Sequence, residues 1–439
     1  MNLSDYTTLL NTRVSLVGIV VSLVGIVIGL IGIMPEGFKV QWEIFLLSIV
    51  IFIFAILKKS SKPPQPSPSI INFTAQLGNK NNPGLLPKEQ RLAQLNQGQN
   101  PYVCGTPLPG NSAVFYGRER ELSGTLSVLG NQENPGNVSI LGERRIGKSS
   151  LLNQIYQALA AEPNVVSIHT TMQNWSIDSQ ATFFSQLHQA ISKALKIKSD
   201  SVADYAGFRD FIRDYATKRG CRFVLMIDGF EKMTNNAFFD ATFFSNMRAL
   251  GERHEYQFGY VLSSEAPLYD ICRQGGIKES QFWNIFGRRY ILGLLAKKEA
   301  EQLIQEPMRQ VLGRNFWNIF VTYILGLLAK KEAENTEIIL NYAGYHPAFI
   351  QIVASEYFNA PDKDAIEQTL RDYYQDLWKR RTQAERELLL KIARDEIPKN
   401  NARLTNLRQR GLVDADNKLF ARFFEQFIEE QNQRDSDIV

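Results

Sequence analysis

NVSILGERRIGKSSLLNQIYQALA, residues 137 to 160, decides the fold. NVSIL is a short apolar run of strand type. LLNQIYQALA has helical spacing. Between them stands Gly142-x4-Gly147-Lys148-Ser149. Strand, glycine-rich loop and helix together make the full context in which this spacing cradles phosphates. The glycines let backbone N–H groups, those of Ile146 and Ser150 among them, wrap the anion. The helix that follows points its positive end at it. Lys148 is expected to reach the β- and γ-phosphates and Ser149 to hold Mg²⁺. The ordinary alternative, a plain strand-to-helix turn, does not account for Lys148 and Ser149 together.

Working outward, CRFVLMID ends in Asp228 about eighty residues beyond the loop. It reads as a second buried strand with an acid at its tip, placed to bind Mg²⁺ through water opposite Ser149. The next residue is Gly229, and the nearest acid after Asp228 is Glu231. In many nucleotide hydrolases a second acid follows directly and orients the attacking water. Glu231 either substitutes for it or is a solvated charge, so the residues leave open whether the chain cuts a phosphate bond or only holds a nucleotide. QFGYVLSSE, residues 257 to 265, reads as a third strand. Ser263 at its tip is either a γ-phosphate sensor or part of a turn or helix cap.

The chain has 439 residues, long enough for two or three domains, with a net charge of +4. That charge makes no case for nucleic acid, which needs clustered bases. Cys104, Cys221 and Cys272 are scattered and match no metal spacing, which points to a reducing compartment. Four histidines are likewise dispersed.

The N-terminal part differs. Residues 14 to 34, VSLVGIVVSLVGIVIGLIGIM, carry no charge and as a helix span about 30 Å, the thickness of a hydrocarbon core. Residues 40 to 57 form a second apolar run after the turn MPEGFK. The pair reads as a transmembrane helical hairpin. A second span and the lack of a small-residue cleavage pattern argue against a signal peptide. Lys58, Lys59 and Lys62 follow the second span, which places both ends in the cytoplasm and the chain in the inner (cytoplasmic) membrane. Ser15, Gly18, Ser22, Gly25, Gly29 and Gly32 make one stripe at a 3.5-residue period. Such a stripe packs closely on the second span or on another protomer. Residues 58 to 112, opening with KKSSKPPQPSPS, read as a tether averaging roughly 40 Å end to end, with room for short order around Leu85 to Leu95.

FYGRERELSGTL (115 to 126), the phosphate loop, IDGFEK (227 to 232) and AGYHPAFIQ (343 to 351), in this order, resemble the STAND class of signal-transduction P-loop NTPases within the AAA-like group. The resemblance covers about residues 113 to 427. It implies that Gly117 and Arg118 lie near the adenine, and that Pro347 of Gly344-Tyr345-His346-Pro347 packs at the nucleotide from a helical lid. TQAERELLLKIA, LTNLRQRGLV and LFARFFEQFI resemble the winged helix that closes such modules. The departure is Gly229, where many relatives have glutamate. Loss of such a base costs about 10² to 10⁴ in rate, which leans the expectation towards a slow ATP-hydrolysing switch. ATP and ADP are expected over guanine nucleotides, since no N-K-x-D stretch is present.

FWNIFGRRYILGLLAKKEAE (282 to 301) returns almost verbatim as FWNIFVTYILGLLAKKEAE (316 to 334). Removing residues 319 to 334 joins GRNFWN to NTEIIL and lets the lid read through. The second copy therefore reads as a recent insertion, either an added helix or a disturbance of the lid. The first copy is expected to be the native strand and helix.

The expected architecture is thus a three-layer α/β P-loop NTPase core with a parallel sheet (113–295), a helical lid (296–365) and a winged helix (366–439), after the tether and hairpin. Partners expected are the bilayer and further copies of the chain, a homo-oligomer formed through the NTPase module. No sensor repeats follow the winged helix, so the stimulus is expected through a partner or the membrane. The rival function is a membrane-tethered DNA-binding ATPase reading DNA with Lys399, Arg403, Arg408 and Arg410. The acids close behind and the absence of a basic wing favour a clamp on the nucleotide-bound state instead. A scaffold that binds nucleotide without cutting it is the third reading.

Overall fold

Alternate residues of the RFVLMID strand face opposite ways, as the two-residue period of a strand requires. Phe223, Leu225 and Ile227 enter one core, and Val224 and Met226 enter another. This strand, β4 (Arg222–Asp228), lies inside a six-stranded sheet of order β1-β3-β4-β5-β2-β6. The others are β1 (Thr74–Leu77), β2 (Val138–Gly142), β3 (Val165–Thr171), β5 (Phe258–Ser264) and β6 (Arg288–Leu292). β2 to β6 run parallel, while β1 joins the β3 edge antiparallel. The computed structural model describes residues 72–172, 179–312, 333–359, 362–396 and 402–437, all within the unit Ser69–Val439.

Every residue of β2 and β5 is buried, as expected when helices cover both faces of a parallel sheet. One face carries a core rich in aromatics, with Phe183, Phe184, Phe243, Phe244 and Phe282 fully or almost fully buried. The other packs the helix Lys148–Leu159 through Leu151, Leu152 and Ile155. The phosphate loop, Asp228 and Ser263 therefore share the carboxyl edge of the sheet, where open α/β sheets bind ligands.

A third core is helical. It joins residues of the helices Lys297–Leu312, 333–343, Pro347–Asn359, Lys363–Lys379, Gln383–Ala393, Ala402–Gln409 and Arg422–Asp437 in one cluster. Tyr374 lies at its centre among Phe349, Phe420 and Phe424. The expected division at residues 365 and 366 falls inside the helix Lys363–Lys379. Lid and C-terminal segment thus form one packed body, because their apolar faces need each other. In the segment expected to be a winged helix, three helices accompany an isolated antiparallel bridge, Val413 with Leu419.

Residues 72 to 112 correct the expected tether. They contain β1, an unexpected strand, and the helix Lys88–Ala93, which falls in the stretch where short order is expected. The polar composition that suggested a tether serves turns and contacts: Asn111 Nδ2 donates to the Gly84 carbonyl at 2.9 Å, and Asn100 Nδ2 to the Ser355 carbonyl at 3.0 Å. The first copy of the duplication forms the turn Phe282–Ile285, β6 and the helix Lys297–Leu312. The second copy, apart from residues 333 and 334, lies outside the described residues, as do both apolar spans, the start of the tether and Lys399. Among the described residues no helix is long and apolar enough to cross a membrane.

Candidate nucleotide site

The phosphate loop turns on Arg145 and Gly147, both at positive φ (65° and 104°), and delivers Lys148 as the first helical residue. Lys148 Nζ donates to the carbonyls of Gly142 and Glu143, each at 2.9 Å. Burial pushes its pKa down, and Glu265, Glu231, Asp228 and Glu143 oppose that shift. Ser149 Oγ donates to Asp228 Oδ2 at 2.6 Å, so two residues 79 apart in sequence meet at the loop. Ser263 Oγ donates to the other oxygen of Asp228 and accepts from the Gly229 N–H at 3.0 Å. Ser263 is fully buried. Its hydroxyl is bonded to Asp228 and to the Gly229 N–H, and Ser263 itself is not among the residues that line the adjacent cavity.

A cavity of 550 Å³ opens beside the loop, a size that suits a nucleotide. Its walls include Lys148, Ser149, Asp228, Glu231 and Pro347. Ile146, Gly147 and Ser150 line it too, although Ser150 Oγ also accepts from the Leu108 N–H at 3.0 Å. Arg118 is on the wall and buried, donating to the carbonyls of Gly293 at 2.6 Å and Ile146 at 3.3 Å. It thereby ties the phosphate loop to the connection after β6. Gly117 (φ 66°) and Gly142 are not on the wall: Gly117 packs beside Glu299, and the Gly142 carbonyl holds Lys148. Pro347 opens the helix Pro347–Asn359, where a missing N–H is harmless. Gly344 before it has φ 55°, and a Cβ there would stand 1.7 Å from the Phe420 carbonyl oxygen. The glycine of this motif is therefore fixed by the C-terminal body.

A hydroxyl and a carboxylate meeting at a phosphate cradle form an all-oxygen donor pair, which suits Mg²⁺, an ion that takes few protein ligands and completes its shell with water and phosphate. Glu231 begins the short helix Glu231–Thr234 on the cavity wall. Its Oε2 is buried and has no partner among the described residues. Burial raises its pKa, and the nearby Glu265 adds to the rise.

Two groups went unnoticed in the sequence. Glu143, inside the loop motif, is 3% exposed and accepts two bonds from Arg381, at 2.9 and 3.1 Å, and an ion pair from Arg410. Glu265 pairs with Arg380 at 3.0 Å, and both line the cavity. An acid within a phosphate loop and the doublet Arg380-Arg381 were the available signals. Of the bases expected to read DNA, Arg403 is exposed, Arg408 donates to Asn417 and Arg410 turns to Glu143.

A search of curated protein sequences returns no match. Among solved structures, the Walker-type ATPase PABY2304 of Pyrococcus abyssi is similar, with a TM-score of 0.51 at 16% identity, over 74% of this chain and 98% of that one. The ORC2 protein of Aeropyrum pernix, solved as ADPNP–ADP complexes, gives 0.40 at 13% identity, over 78% and 98%. Cdc6p of Pyrobaculum aerophilum gives 0.39 at 13% identity, over 72% and 94%. At these identities only the first likeness bears on the chain, and it concerns the fold. The family model described as Novel STAND NTPase 1 matches residues 108–333, just over half of the sequence, and with the phosphate loop and Asp228 both inside that match the chain belongs to this family of P-loop NTPases.

Proposed function

We propose that the chain is a membrane-anchored, ATP-binding switch of signal transduction that hydrolyses its nucleotide slowly. The observation that carries the nucleotide reading is the meeting of Ser149 and Asp228 at 2.6 Å, beside Lys148. Mg²⁺, when bound there, supplies charge neutralisation at the phosphate oxygens. Lys148 binds the phosphates, and Asp228 is held in one rotamer by Ser149 and Ser263. Glu231, with a free oxygen on the cavity wall and a raised pKa, accepts the proton of an attacking water. Slow turnover follows from its place: it starts a helix three residues beyond Asp228 rather than following that acid directly. A long-lived nucleotide state is what a switch needs.

The anchor rests on the two apolar spans, 14–34 and 40–57. The segment after residue 382 acts in this reading as a winged-helix clamp on the nucleotide state. Arg410 bound to Glu143 of the phosphate loop supports a clamp over a DNA reader. Association of copies through the NTPase module and the first span completes the proposal.

The test uses the full chain in detergent. The copurifying nucleotide is identified, and single-turnover hydrolysis of ATP is followed for wild type, Lys148→Ala and Glu231→Gln. The proposal expects ATP binding lost in Lys148→Ala, and binding kept but cleavage lost in Glu231→Gln. A wild type that binds ATP and never cleaves it is a nucleotide-dependent scaffold, and the hydrolytic part of the proposal then fails.

A further inference from the structure

The free edge of the sheet carries a groove that the nucleotide chemistry does not use. β1 ends the strand order, so its outer side has no strand partner. Beside it lies a groove of 910 Å³, walled by β1, the turn that follows it and the end of the helix Gln180–Ala194. Lys80, Lys193 and Lys196 line it, and no acid does. Two other cavities differ. The nucleotide cavity sets Asp228, Glu231 and Glu265 against its bases, and a cavity beside β6 sets Glu121, Asp414 and Asp416 against its own. Leu77, the last residue of β1, joins the lysines on the wall and is 42% exposed, which is unusual for a large apolar side chain. Resting on the membrane-anchored reading above, we propose that this face docks on a lipid surface rich in anionic headgroups.

Charge and apolar content together select the partner. A lysine beside an anionic bilayer is attracted to it, and the attraction fades within a Debye length. None of the three lysines has an ion pair among the described residues. Glu162, next to Pro163, and Asp200, beyond Lys198, are exposed but not on the wall. Lys193 in the last turn of its helix and Lys196 just after it have the usual place of cations at a helix end. That role does not explain Lys80 and Leu77, which come from another part of the chain and converge on the same groove. A leucine among lysines suits the bilayer interface, where the apolar group enters the headgroup boundary and the ammonium groups stay at phosphate level. A second copy of the chain is a poor occupant, because across a two-fold axis lysines meet lysines. Nucleic acid finds no stacking platform: Phe73, the aromatic ring on the wall, packs edge-on against Phe183 with centroids 5.5 Å apart.

The entry point of the chain favours the same partner. Residues 58 to 71 alone separate the second apolar run from Asn72, and β1 begins at Thr74. A stretch of that length reaches at most about 50 Å and averages about 20 Å as a random chain. β1 is thus the first element of the core after the proposed anchor. β6 lies at the opposite edge of the sheet, five strand spacings or about 24 Å away. Gly293 and Leu294 after β6 lie against Gln409 and Gly411 of the helical body. Docking through β1 therefore leaves that edge clear of lipid.

The test footprints surface amines on the full chain. The protein is reconstituted with vesicles of phosphatidylcholine alone or with about one-third phosphatidylserine. Acetylation rates of individual lysines are read by mass spectrometry, with Lys363 and Lys391, exposed on the helical body, as references. Acidic vesicles should slow Lys80, Lys193 and Lys196 about fivefold against the references, and neutral vesicles should not. About 0.5 M salt should erase the difference. In the double variant Lys193→Gln with Lys196→Gln, Lys80 should react within about twofold of its rate on neutral vesicles. Insertion is followed in parallel as resistance to alkaline extraction. An inserted chain whose three lysines react equally on both vesicle types overturns this inference alone. Protection without insertion supports the inference and overturns the anchor. Absence of both overturns both. Protection by a DNA duplex or by polyglutamate, with none by acidic vesicles, assigns the face to a soluble polyanion and overturns the lipid contact.

Discussion

Two glutamates beside one phosphate loop have opposite surroundings. Glu143 lies within the loop and faces the C-terminal helices, with both carboxylate oxygens taken by Arg381 and a further ion pair from Arg410. Glu231 lies across the cavity, with one oxygen buried and unpartnered and its pKa raised by burial and by Glu265. Both are acids taken largely out of water. The first is paired with two arginines and fixes the loop against the helical body. The second keeps one oxygen without a partner among the described residues, and with it the capacity to take a proton. A buried charge that is fully paired is a joint, whereas one left partly unpaired in a cavity is a candidate for chemistry.

The joint gives the largest expected effect. Arg381→Ala leaves Glu143 with Arg410 alone and should cost about 3 to 5 kcal/mol of stability, measured by urea unfolding. The double variant Glu143→Leu with Arg381→Met, which replaces the pair by apolar groups, should recover at least half of that loss. A cost near zero for Arg381→Ala would remove the contrast between the two glutamates.

The free acid gives the next effect. Glu231→Gln should lower single-turnover hydrolysis about a hundredfold, about 2.7 kcal/mol of barrier, while nucleotide binding persists. Because burial raises the pKa of Glu231, its ionised, proton-accepting form appears at a higher pH than that of an ordinary glutamate. The wild-type rate should therefore fall on the acid side at a higher pH than an ordinary glutamate gives, and this limb should vanish in Glu231→Gln. A limb that survives the substitution belongs to another group.

A third buried group sharpens the comparison from the side of the helical body. His346 is enclosed between Phe349 and Phe420 with neither ring nitrogen partnered among the described residues. Burial, with Arg118 and Arg145 nearby, pushes its pKa down from 6.5 to about 3. The unfolded chain takes up a proton near pH 6.5 and the folded chain does not. Stability from this site is present above pH 6.5 and is lost as pH falls from there towards 3. At pH 5 the loss is about 2 kcal/mol relative to pH 8. His346→Leu should flatten this dependence in thermal melts at the two pH values. An unchanged slope would show that the imidazole titrates normally in the folded chain.

The sequence revealed the site through short-range pattern. Gly142 to Ser149 is one continuous loop, and Asp228 ends an unbroken apolar strand, so their chemistry is visible without a fold. Glu143 and Arg381 are 238 residues apart, and neither stands in a pattern that names its partner. Only packing of the helical body on the sheet brings them together. Ser263 was visible as a strand tip, but which way its hydroxyl turned depended on Asp228 in the adjacent strand. The strand β1 was not legible in the tether-like stretch because it has only four residues, and its ladder with β3 rather than its own alternation makes it a strand.

Gly229 brings the smallest effect and returns to the missing acid. Its φ is 78°, in the left-handed region that side chains rarely adopt, and its N–H is held by Ser263. A Cβ built there would meet only Met172 Cβ, at 4.0 Å, so space is not what excludes a side chain. Backbone strain alone acts, and Gly229→Ala should cost about 1 kcal/mol with hydrolysis nearly unchanged. Gly229→Glu supplies the acid that the family resemblance leads one to expect directly after Asp228, yet on this backbone. If the left-handed turn persists, the new carboxylate leaves Glu231 as the base and turnover stays within about threefold, since no proton-transfer partner has been gained or lost. A tenfold or greater rise in single-turnover rate, retained when Glu231→Gln is added, would show that the backbone relaxes to present the acid next to Asp228, and would move the chemistry from Glu231 to position 229.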